Sequence, residues 1–144
     1  MEAYADCVIP MYDRYGVDNI NSLEQFAKQK YLNLETFRKN GEGLKTPVWF
    51  TQAGEMLYVR TVAGSGKVKR VHNNARVNVA PCGVDGTLTG TWAPALARHV
   101  ENPEIDQKVA RLIRMKYGPL GIILAIRSRF RHDEYAILEI KLSE

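Results

Sequence analysis

The spacing of apolar and polar residues changes several times along the chain, and each change predicts an element. From Tyr31 the period is two: Leu32, Leu34 and Thr36 alternate with Asn33 and Glu35, as in a half-buried strand. After a turn at Lys39-Asn40-Gly41, residues 46–51 (TPVWFT) read as a second strand, with Pro47 near its start where a missing N–H is tolerated. Ala53-Gly54 turns the chain into a third strand, 56–61 (MLYVRT). Residues 76–81 (RVNVAP), 87–100 with a bend at Gly90 or Pro94, and 135–142 (YAILEIKL) bring the number to six. Helical spacing is expected over 21–31, where Ser22 and Gln25 can form a capping box and Leu23, Phe26, Ala27 and Lys30 share a face. A short polar helix is expected over 67–73. A longer one starts at Asn102-Pro103, carries a stripe of Ile105, Val109, Leu112, Ile113 and Lys116, and should stop at Gly118-Pro119. Residues 120–130 fit helix and strand equally. Short, mostly antiparallel strands with few helices predict a mainly β barrel rather than a βαβ sheet.

Composition narrows the class. A chain of 144 residues with 45% hydrophobic and 25% charged residues can fold as one domain around a sizeable core. The longest purely apolar run, Ile122 to Ile126, is too short to cross a bilayer, and residues 1–16 lack the layout of a signal peptide, so no membrane role and a cytoplasmic location are expected. Cys7 and Cys82 have no CxxC spacing, and His72, His99 and His132 lack ligand spacing, so no metal site is expected. Neither a Ser-His-Asp set nor a carboxylate pair stands out, and no catalytic side chain can be named. That pattern suits an enzyme whose chemistry belongs to a cofactor.

The segment 61–70 (TVAGSGKVKR) carries the clearest chemistry. Glycines between a strand and a helix let backbone N–H groups converge, the helix N-terminus adds partial positive charge, and Lys67, Lys69 and Arg70 add full charges. Thr61 and Ser65 add hydroxyls. This suits a phosphate, although a glycine turn before a solvated basic helix would read the same way. It is not a P-loop, which needs Gly at the place of Thr61 and Ser or Thr at that of Val68. The net charge of +4 also admits a basic nucleic-acid-binding domain. No aromatic residue interleaves the Lys67–Arg70 cluster, however, and nucleic acid is not the expected partner.

Over about half the chain, ordered pieces resemble the pyridoxamine 5'-phosphate oxidase-like FMN-binding split-barrel superfamily. Within it they are most similar to the group dependent on the deazaflavin coenzyme F420. The pieces are Thr36 and Arg38 on the first strand, TPVWF (46–50), LYVRT (57–61), SGKVKRV (65–71), NNARV (73–77), APC (80–82) and a glycine-containing strand up to Trp92. The resemblance implies a six-stranded antiparallel split β-barrel with flanking helices, acting as a homodimer. Residues 1–20 would be an N-terminal extension, and 21–144 a flavin- or deazaflavin-binding domain. It implies that Thr61, Ser65, Gly66, Lys67, Lys69 and Arg70 face the cofactor phosphate. Thr46, Pro47, Val48 and Trp49 would lie along the ring, while Pro81, Cys82 and Trp92 would line the site in part from a second subunit. Pyridoxamine-phosphate oxidases proper have an arginine where this chain has Gly66, and a basic C-terminal motif that EIKLSE lacks; oxidation of that substrate is not expected. The implied activity is hydride transfer between coenzyme F420 or FMN and a small unsaturated or quinone-like molecule. The alternative is a non-catalytic flavin or haem carrier or sensor on the same barrel. Lys69, Arg70, Arg111, Arg114 and Lys116 tilt the choice toward the deazaflavin, whose tail bears several carboxylates. Apolar strand surface at Val48 and Phe50 is expected to be covered by the second copy.

Overall fold

Where one strand was expected over 46–51, the chain forms two, and the sheet therefore has seven strands rather than six. The computed structural model describes residues 23–131 and 134–143, with the backbone alone for 120–131. The expected extension 1–20, the cap residue Ser22, and Cys7 and His132 lie outside the described residues. The strands are β1 (Tyr31–Phe37), β2 (Gly43–Trp49), β3 (Thr51–Ala53), β4 (Met56–Val62), β5 (Arg76–Cys82), β6 (Ala93–Val100) and β7 (Tyr135–Leu142). Helix α1 spans Gly66–Asn73 and α2 spans Pro103–Arg131.

The sheet order is β2-β1-β5-β6-β7-β4-β3, and every pairing is antiparallel. Its two edge strands, β2 and β3, are consecutive in sequence and joined through Phe50, so the sheet curls into a half-barrel. β2 pairs with β1, whereas β3 has left that neighbour for β4. The break occurs because Phe50 turns inward: it is 1% exposed and meets the edge of Phe26 at 5.9 Å. Burying such a ring stabilises the fold by about 1.5–3 kcal/mol, enough to outweigh one lost ladder position.

Alternation places Leu32 and Leu34 of β1, Leu57 and Val59 of β4, Val77 and Val79 of β5, and Leu138 and Ile140 of β7 on one interior face. β6 contributes only alanines there, Ala93, Ala95 and Ala97, where α1 packs across β6 and β1 and inserts Val68 and Val71. Small residues on the strand let the helix approach. Val48 packs against the same core and Phe50 is buried within the chain, so neither is the bare apolar surface that the sequence suggested.

Three further expectations change. The helix expected over 21–31 is present at Leu23 and Glu24 but gives way at Gln25 to turns with bonds three residues back, such as Phe26 N–H to Leu23 O at 3.1 Å, ending at Lys28 with φ +64°. Gln25 does not cap. Its amide donates to Thr91 O and its Oε1 accepts from Thr91 N–H, both at 2.9 Å, which fixes Phe26 into the barrel end. The fifth expected strand begins at Ala93, not at 87, because Gly83 and Gly86 (φ +89°) build a turn in which Asp85 Oδ1 accepts the Thr87 N–H. Finally, α2 breaks at Gly118 (φ +59°) as expected, but Pro119 starts a second helical segment, and residues 120–130 are helical. Among the described residues, no helix is long and apolar enough to cross a membrane.

Candidate functional site

The strand β4 delivers Thr61, and a three-residue connection then places Ser65 at the N-cap of α1 with extended backbone (φ −70°, ψ 157°). A serine there normally accepts an N–H from the first turn. Ser65 makes no such bond, and its Oγ is buried with no hydrogen-bond partner. No acidic residue lies in that turn. Lys67 is half-buried, and burial, reinforced by the charge of Arg70, pulls its amine below the ordinary lysine range. Arg70 folds back along the helix. Its Nε donates to Thr36 Oγ1 on β1 at 2.6 Å, and one guanidinium nitrogen lies 2.6 Å from where a Cβ on Gly66 would stand. Glycine at 66 thus leaves room for a guanidinium over the first helical turn. Among the described residues neither Lys67 nor Arg70 pairs with a carboxylate. Lys69 points to solvent. Two cationic side chains, a partnerless buried hydroxyl and a helix N-terminus share this end of α1, a set that can attract an anion.

The other expected residues divide between the two faces of the sheet. Thr46 and Val48 pair with Leu34 and Leu32, Pro81 pairs with Leu32, and Thr61 pairs with Ala136, so these four lie on the interior face that α1 covers. Pro47 and Trp49 pair with Asn33 and Tyr31, and Cys82 pairs with Tyr31, on the opposite face. Trp92 belongs with this second set, since Lys45 Nζ, from the same face of β2, stands 5.3 Å from its ring centre. Cys82 is buried, and burial raises its thiol above the ordinary range, which suits a packed residue and not a nucleophile. A second orphan lies here: Asn33 is 6% exposed, its amide donates to Gly86 O at 3.3 Å, and its Oδ1 has no partner. A single chain therefore does not gather the expected phosphate and ring residues at one point.

The contacts around Trp49 were not legible from local patterning. Its ring is stacked on Tyr117 of α2, 4.1 Å apart and tilted by 5°. Tyr117 OH accepts the Phe50 N–H at 3.2 Å and donates to the carbonyl of Lys30. Lys116 Nζ donates to Phe50 O at 2.9 Å. Burial takes Lys116 down to about 8 and Tyr117 up to about 12. Lys116 is thus turned inward and is not one of the surface cations expected beside an acidic tail; Arg111 and Arg114 remain exposed. Among the described residues no group of three or more His, Cys, Asp and Glu side chains is assembled for a metal.

A curled antiparallel half-barrel of this strand order is also the fold of several solved structures. HutZ, the haem storage protein from Vibrio cholerae, superposes with a TM-score of 0.64 at 16% identity over 84% of this chain and 87% of its own. A putative pyridoxamine 5'-phosphate oxidase from Listeria innocua gives 0.60 at 14% identity, covering 88% and 94%. An F420 reductase gives 0.58 at 18% identity, covering 86% and 92%. At these identities the likeness is one of fold. The sequence matches no protein-family model and no curated protein.

Proposed function

We propose that this chain is an oxidoreductase that binds coenzyme F420 or FMN and, as a homodimer, moves a hydride between that cofactor and a small unsaturated or quinone-like molecule. The observation that carries the reading is the buried, partnerless Ser65 Oγ at the N-cap of α1, flanked by Lys67 and Arg70. A phosphate oxygen would accept from that hydroxyl and from the first-turn N–H groups, while both cations offset its charge. Arg70 would supply a guanidinium in the region where pyridoxamine-phosphate oxidases carry the arginine replaced here by Gly66. The cofactor supplies the hydride chemistry when bound; the protein's part is to hold the anionic end and present a flat apolar wall. Pro47, Trp49 and Trp92, each part-exposed, offer such a wall on the opposite face, with Cys82 buried behind them. A second copy bringing that face to the first copy's cradle would unite both halves, which supports the homodimer. Exposed Leu96 (52%) on the outer side of β6 adds apolar surface for such a contact.

Titrating metal-free apo-protein with FMN and with coenzyme F420, each at low and high salt, tests the reading. At least one should bind, Lys67→Ala should weaken it by about 1.5–3 kcal/mol, and light scattering should give a dimer. Tight binding unaffected by Lys67→Ala in a folded protein would remove Lys67 from the site. The second reading, carriage of haem without turnover, draws on the likeness to HutZ. Stoichiometric haem binding together with no affinity for either flavin would favour it.

A further inference from the structure

We propose that Tyr117 is a positioning residue: it holds the Trp49 indole in one plane, so that the indole offers a ready platform to a flat conjugated ring. This role rests on the reading above, in which Trp49 belongs to the ring wall, and it adds what keeps that wall in shape. Trp49 is the last residue of β2. Among the described residues β2 is an edge strand with β1 as its one neighbour, so no strand on the other side limits the rotation of the indole. The indole is nevertheless stacked flat on Tyr117, with ring centres 4.1 Å apart and a tilt of 5°.

Tyr117 can act as a clamp because it is itself fixed at both ends. Its backbone closes the first segment of α2, immediately before the break at Gly118 (φ +59°). Its hydroxyl accepts the Phe50 N–H at 3.2 Å and donates to the Lys30 carbonyl. Lys116, its neighbour on the helix, donates to Phe50 O at 2.9 Å. Phe50 directly follows Trp49, so α2 grips both the indole and the backbone beside it. Burial takes the phenol up to about 12, and it therefore keeps the proton it donates. Trp49 remains part-exposed although one of its ring faces lies on Tyr117, and Pro47, two positions earlier on the same side of β2, is part-exposed as well. An indole beside a proline is an apolar surface that suits a flat conjugated ring, the flavin or deazaflavin of the reading above. A ring that stacks on a loose indole must first stop its rotation, whereas an indole already held saves that entropy.

The test compares Tyr117→Leu, which removes the stack, with Tyr117→Phe, which keeps the ring and loses only the hydroxyl. Both are made in the full chain and checked for folding by circular dichroism. Each is titrated with FMN and with coenzyme F420, and with inorganic phosphate as a competitor that reports the Ser65–Lys67 end alone. Tyr117→Leu is expected to weaken the tighter-bound cofactor by about three- to tenfold, the range set by freezing one side chain, and to leave the phosphate constant unchanged. Tyr117→Phe should lose less. In the wild type, nitrogen-15 relaxation of the Trp49 indole N–H should show a rigid ring before any ligand is added, a readout that needs no variant. A mobile indole that stiffens only on binding would overturn the proposal. So would a folded Tyr117→Leu that binds the cofactor as well as the wild type or better, or cofactor and phosphate weakening in parallel, which marks a purely structural role. A wild type that binds neither cofactor removes the ring-wall reading and this role with it; an unaffected Tyr117→Leu removes this role alone.

Discussion

Replacing Lys116 by Met removes one ammonium from the junction between α2 and the Phe50 break while keeping an unbranched stem. That ammonium donates to Phe50 O at 2.9 Å and stands 3.4 Å from the centre of the Phe50 ring. Burial brings its pKa down from 10.5 to about 8. Taken whole, that difference corresponds to about 3 kcal/mol. The side chain is only half-buried, and the carbonyl and the ring both favour the charged form, so about 1 kcal/mol is the realistic size. A lowered lysine pKa means that the folded state resists the proton. The penalty is fully present below about 8. It is relieved as pH rises toward 10.5, where the folded protein has released a proton that the unfolded chain still holds. Urea unfolding of wild type and Lys116→Met at pH 7 and pH 10 should therefore show the stability difference moving by about 1 kcal/mol in favour of the wild type at the higher pH. Lys67 and Tyr58 titrate in both proteins and cancel to first order, and Tyr117, held near 12, stays protonated in both folded proteins at pH 10. A difference that stays flat, or moves toward the variant, would refute the placement of this amine.

Three other substitutions have defined outcomes. Ser65→Ala should leave the stability of the apo-protein within about 0.5 kcal/mol, because the usual capping bond of about 1 kcal/mol is not made here, yet it should weaken cofactor binding; a stability loss above 1 kcal/mol in urea would show that the cap is used. Thr36→Val keeps the shape of a fully buried residue but removes the acceptor for Arg70 Nε, and should cost about 1–2 kcal/mol in the same assay. Leu138→Ala, at 0% exposure in the middle of β7, should cost about 2–5 kcal/mol by thermal or urea unfolding.

The elements that were legible are those whose period is set by one buried face. β1, β4 and β7 alternate because their odd or even residues fill the interior, and each lies where that alternation predicts a strand. The misread elements answer to partners far away in sequence. Residues 23–29 have helical spacing, but Gln25 is held by Thr91 and Phe26 by Phe50, so the segment turns where a free helix would continue. Residues 46–51 have the composition of one strand, and only the need to cross from β1 to β4 splits them at Phe50. At the candidate site, the charges of residues 61–70 were visible because strand, glycines and helix follow one another locally. The Thr36–Arg70 bond, the Trp49–Tyr117 stack and the His72–His99 pair were not, since each joins elements whose proximity is set by the curl of the sheet.

Gly66 leaves room at the N-terminus of α1 for a side chain from the following turn. A side chain at this position would force the Arg70 guanidinium away, since a Cβ would lie 2.6 Å from its terminal nitrogen. With glycine there, Arg70 reaches back one turn while Thr36 holds its Nε, so its other guanidinium nitrogens stay over the helix N-terminus. The positive charge is then set by a strand-anchored residue from the second turn of α1 rather than by one from the first. Two consequences follow for binding. An arginine fixed by a buried threonine loses less side-chain freedom when an anion arrives, which favours affinity. Lys67 shares that end of the helix with the fixed charge; burial first, and the charge of Arg70 second, hold its amine below the ordinary range, and an anion bound there would offset both.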